Sequence, residues 1–83
     1  MDKTYYTTRL DKLSARIAAL GPRIERAHQA VRRLETEQVP AGATAAARAA
    51  QLSAARTMAA TLEDRHRQLL IAEAALRAEL AAA

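Results

Sequence analysis

From Tyr6 onward the seam-forming residues of the chain recur as Tyr6, Leu10, Leu13, Ile17, Leu20, Ile24, Ala27, Val31 and Leu34, in steps that alternate between four and three residues without a slip. A mean step of about 3.5 residues keeps one stripe on one side of an α-helix and is foreign to the period of two that a strand needs. The pattern therefore predicts a helix packed along its length against another helix. With Leu10 as heptad position a, the a sites are Leu10, Ile17, Ile24 and Val31, and the d sites are Leu13, Leu20, Ala27 and Leu34. β-Branched residues at a with leucine at d favour two-stranded pairing.

The segment Val39-Pro40-Ala41-Gly42-Ala43 interrupts this order, because proline cannot continue the helical ladder and glycine admits turn conformations. Thr44 is placed to cap a second helix, its hydroxyl accepting from an amide that the first helical turn leaves without a partner. A second seam then runs through Leu52, Ala55, Ala59, Leu62, His66, Leu69, Glu73, Leu76 and Leu80. It is the poorer of the two, with His66 and Glu73 at a sites and little but alanine before Leu62. Arms at about 4–38 and 44–82, joined by a loop at 39–43, read as one all-α domain spanning residues 1–83, an antiparallel helical hairpin of coiled-coil type. Folding the chain about residue 41 would set Val31 near Leu52, Leu20 near Leu62, Leu13 near Leu69 and Tyr6 near Leu76. A shift of one heptad satisfies both seams as well.

Composition agrees. Of 83 residues, 23 are alanine and only 19 are larger apolar residues, while Ala, Glu, Lys, Leu and Arg together make 52. Long helices have this composition; sandwiches, barrels and α/β domains do not. There is no cysteine to staple a small core. Two features disturb the simple hairpin. Gly21-Pro22 falls inside the first arm and predicts a kink there, since Leu20 and Ile24 hold the heptad phase across it. Leu69-Leu70-Ile71-Ala72 covers more of the helix circumference than one neighbour can bury. The hairpin is therefore expected to dimerise into a four-helix bundle, or to dock on another protein, through an apolar patch of Tyr6, Met58, Leu70, Ile71 and Ala74.

The sharpest polar feature is a basic flank. Arg9, Lys12, Arg16, Arg23, Arg26 and Arg33 fill g and c sites of the first arm, along about 36 Å of helix at 1.5 Å per residue. With a net charge of +4 and a pI near 10.3, the chain favours acidic partners. Such a flank can lie along phosphates with release of counterions, or meet an acidic protein surface. It can also be an ordinary solvated coiled-coil edge facing Glu63, Glu73 or Glu79 of another helix. Only two aromatic residues, Tyr5 and Tyr6, are present, too few to form a stacking platform for single strands.

Chemistry finds little footing. The i, i+3 pair Glu63 and His66 has the spacing of bundle metal sites, but Ile17 and Leu20 are expected opposite it, and no metal or other cofactor is expected. His66 and Glu73 read instead as polar a-site residues that specify register, and His28, at an e site, as a rim residue. Ser14 and Ser53 have no histidine at an adjacent helical position. Two glycines cannot build a phosphate-cradling loop of the usual kinds. The expectation is a soluble, cytoplasmic, bacterial or phage protein that is not an enzyme and has neither a small-molecule substrate nor a membrane partner. It would bind protein by helix packing, as adaptor, assembly factor or inhibitor. The rival is an accessory protein whose arginine flank holds nucleic acid by the phosphate backbone.

Overall fold

A computed structural model describes residues 3–37 and 44–83 of the chain. Two helices account for nearly all of them: α1, Lys3–Thr36, and α2, Ala45–Ala82. They lie side by side in an envelope of 64 × 15 × 14 Å. No strand occurs among the described residues. The expected loop at 39–43 lies outside them.

Each boundary has a local cause. Thr44 adopts an extended conformation (φ −88°, ψ 152°), and its hydroxyl accepts from Ala47 N at 3.0 Å, the cap expected from sequence. The alanines after it carry the highest helix propensity of any residue and no side-chain entropy to lose. At the far end of α1, Arg48 of α2 donates from Nη2 to the Glu37 carbonyl at 2.9 Å. One carbonyl beyond the last turn of α1 is thus satisfied from the opposite helix.

Thr4 to Thr8 have the local preferences of extended chain, which predict fraying there or a helix that begins at Thr8. The structure has this stretch helical from Lys3. Tyr6 and Leu10 are both buried in the seam, and Thr7 Oγ1 donates to the Lys3 carbonyl at 3.0 Å. Packing of one face has overridden propensity.

Pro22 lies within a single uninterrupted helix. Gly21, Pro22 and Ala18, whose carbonyl loses its usual donor, all face solvent, where water can take the missing bond. Leu20, the most buried of the described residues at 4% exposure, and half-buried Ile24 anchor the helix on either side. The helix is continuous through the position of the expected kink, so Gly21-Pro22 does not end one helix and begin another.

Every residue of both seams is buried or half-buried, His66 and Glu73 included. The register, however, is the shifted one. Leu13 shares a groove with Ala72 and Leu76, Leu20 with Leu69, and Val31 with Ala59. Each partner lies one heptad further along α2 than a fold about residue 41 would place it. The physical reason is volume matching. In the shifted register Ala27 stands at the height of Leu62 and Val31 at that of Ala59, so large side chains meet small ones, where a fold about residue 41 would have set Ala27 against Ala55 and left a void.

Candidate functional site

The register decides which side chains share each edge of the hairpin. In an antiparallel pair the e sites of one helix face the e sites of the other, and g faces g. Along the e edge, Glu35 pairs with Arg56 at 3.9 Å, and His28 Nε2 donates to Glu63 Oε1. Two heptads back along α1, Ser14 Oγ donates on the same side to the seam carboxylate of Glu73, to Oε2 at 3.1 Å, and the same carboxylate lies 3.7 Å from Arg77. Glu73 is thus a seam carboxylate with its polar requirements met at the rim. Between these rungs comes Gly21, with no side chain to offer, and a Cβ built there would meet nothing within 4 Å.

The g edge has no such rungs. All six residues of the basic flank are exposed. Arg33 lies 3.9 Å from Glu37, and the Arg9 guanidinium lies 5.5 Å from the centre of the Tyr5 ring. Lys12, Arg16, Arg23 and Arg26 have no acidic partner among the described residues. Two of the acids expected to face them, Glu63 and Glu73, belong to the e edge. The third, Glu79, makes no ion pair among the described residues. Across from Arg16 and Arg23 stand Ala72 and Arg65, lining two open grooves of about 390 and 410 Å³. Arg65 was missed from sequence. Its g row on α2, with Met58, Ala72 and Glu79, carries no other cation, and only the register brings it to the same edge as Arg16 and Arg23.

The proposed apolar patch divides. Tyr6 is 8% exposed and plugs the end of the seam; Tyr5, packed edge-on to it at 5.4 Å, is the tyrosine that faces outward. Leu70 and Ile71 remain 42% and 58% exposed, and Ala74, one turn on, continues their face. Met58 is equally open but stands at a g site, about 140° around α2 from Ile71 at 100° per residue. It belongs to the opposite edge. That division was legible in the heptad phase, which puts Met58 at g, Leu70 at e and Ile71 at f.

Glu63 turns to His28 on α1, away from the half-buried His66. Among the described residues no group of three or more His, Asp or Glu is placed to hold a metal ion, and no helix is long and apolar enough to cross a membrane. The arrangement presents charge and apolar surface along two long edges. Comparison with protein-family models, with curated proteins and with solved structures finds no match.

Proposed function

We propose that this chain is a non-enzymatic protein-interaction module, working by helix packing as an adaptor, assembly factor or inhibitor, and that two copies pair through Leu70, Ile71 and Ala74 into a four-helix bundle. The observation that carries this reading is the thinness of the seam beside an uncovered outer face. Among the described residues only Tyr6, Leu10 and Leu20 of α1 and Ala59 and Leu62 of α2 are buried, while Leu70 and Ile71 of α2 stay in solvent. Two helices cover only the stripe that each turns to the other, and a further helix layer is the ordinary remedy. Sedimentation at micromolar concentration should give twice the 9.0 kDa chain mass. Leu70→Asp with Ile71→Asp should return the monomer, and a well-folded wild-type monomer would remove the dimer from the proposal.

A second reading takes the basic flank as a phosphate-binding surface, favoured by the four cations without acidic partners. Its affinity for a duplex should fall steeply with salt, with a log-log slope near the number of phosphate contacts. Arg16→Glu, Arg23→Glu and Arg26→Glu together should abolish it, and unchanged duplex binding would eliminate this reading.

A further inference from the structure

The two grooves of the g edge run end to end. Arg16 belongs to both, and together they reach from Arg9 to Arg23, about 21 Å of helix at 1.5 Å per residue. Their floor is apolar, formed by the half-buried Leu13, Leu69 and Leu76 and by the buried Leu20. Exposed alanines, Ala19, Ala72 and Ala75, line the remaining wall. The rims carry cations from both helices, and neither groove has an acid in its lining.

We infer that this groove docks an acidic amphipathic helix from a different polypeptide, completing a three-helix bundle along the g edge. The inference rests on the reading of the chain as a helix-packing module and supplies the chemistry of its partner. Three features of the groove select the occupant. Alanine along the wall lets a helix axis approach to the short end of the usual 8–10 Å range. A leucine floor some four turns long accepts apolar residues at i, i+3, i+4 and i+7 of a docked helix. Arg16, Arg23 and Arg65 then lie beside its flanks, where Asp or Glu would pair with them.

The alternatives fit less of the surface. A second copy of this chain also carries +4, and a two-fold contact would bring each arginine row against itself. A phosphate backbone would neutralise the rims but leave the leucine floor wet, gaining nothing from it. An acidic helix uses the rims and the floor together.

The test is fluorescence anisotropy with the whole chain and a synthetic helical peptide of about 21 residues, long enough to span the groove at 1.5 Å per residue with a turn to spare at each end. It carries leucine and alanine on one face and glutamate along both flanks, and its control has lysine in place of glutamate. The glutamate peptide should bind in the micromolar range and the lysine peptide not at all. Arg16→Glu with Arg65→Glu should weaken binding on the order of tenfold or more, since both rims reverse sign. Ala72→Trp should block the groove with every charge intact and also weaken it. All three positions are solvent-exposed, so circular dichroism should remain helical.

Equal binding of both peptides, or binding indifferent to Ala72→Trp, would overturn the inference, as would a duplex that displaces the glutamate peptide and loses as much affinity on Ala72→Trp as the peptide does. Should the peptide fail while pairing that depends on Leu70 and Ile71 persists, the groove inference falls alone. Should both fail, the interaction-module reading falls with it.

Discussion

Along one edge of the hairpin Glu35 meets Arg56, His28 meets Glu63, and Ser14 meets Glu73; along the other, Arg16 and Arg23 look across at Ala72 and Arg65. Both edges rest on the same buried layers. Exposed pairs of the first kind contribute about 0–1 kcal/mol each, so the e edge does not hold the helices together. Its rungs belong to the register that the apolar layers set, because a slip of one heptad would separate every one of them. The g edge does neither. Lining it with unpaired arginines costs the isolated hairpin some mutual repulsion, and Arg65 stands across the groove from Arg23 with like charge. The side-chain rungs between the helices lie along one edge, while the other keeps cations without an acidic partner among the described residues.

The most disruptive way to test that contrast is to remove the layer common to both edges. Leu20, 4% exposed, lies in the seam and also floors the g groove. Leu20→Ala should cost about 2–4 kcal/mol, the usual range for deleting a buried leucine side chain. Urea unfolding followed by circular dichroism measures it. A cost below about 1 kcal/mol would place this layer outside the cooperative core, because surface substitutions stay within about 0.5 kcal/mol.

Next in size is Pro22, on the outward face between Leu20 and Ile24. Pro22→Ala restores one backbone bond and removes a clash, and should raise stability by about 1–3 kcal/mol, discounted from the full cost in an exposed helix because α1 already accommodates the ring. The melting temperature of a domain this small should rise by roughly 4–8 °C per kcal/mol. Both edges gain alike, since the proline faces neither. If peptide binding at the g groove changed as well, a bend at Pro22 would be part of that groove's shape.

How far these features can be read from the amino-acid order differs between levels. Both seams follow from the four-three repeat, and every seam residue is covered in the fold. The Thr44 cap is equally plain, since its signal lies within four residues. The register is not, because two arms of similar length satisfy the same repeat after a slide of seven, and only the match of Ala27 to Leu62 and of Val31 to Ala59 separates the choices. Everything that depends on register is hidden with it. The basic flank is visible, but that Glu63 and Glu73 turn away from it, and that Arg65 joins it, are facts about the other helix.

A smaller effect is expected where the finished edge enters the seam. Glu73 is half-buried at an a site and held by Ser14 and Arg77. Glu73→Leu should stabilise by about 1 kcal/mol, as replacing a partly buried ionic group with an apolar one often does. It should also loosen register, because the rung with Ser14 is lost and a leucine fits either slide. The cysteine-free chain allows spin labels on Ala18→Cys and Gln68→Cys, both exposed. One interlabel distance in the parent and two in the variant is the expected result; a single distance in both would leave register to the apolar layers alone.

The smallest effect makes the two edges alike. Ala72 stands at a g site in the groove that Arg9, Lys12 and Arg16 line, so Ala72→Glu gives those cations the carboxylate that the e edge already has. An exposed pair of this kind should stabilise the hairpin by about 0.2–1 kcal/mol, and less at high salt. Urea titrations at low and high salt measure that difference. The more telling readout is binding. A carboxylate at position 72 satisfies Arg16 from within and repels an incoming acidic flank, so the glutamate peptide should lose affinity although the fold has gained stability. Stability and affinity moving in opposite directions mark a surface whose incompleteness serves a partner. If both rose together, the arginines of the g edge would be a solvated coiled-coil edge like any other, and the contrast between the two edges would be one of composition alone.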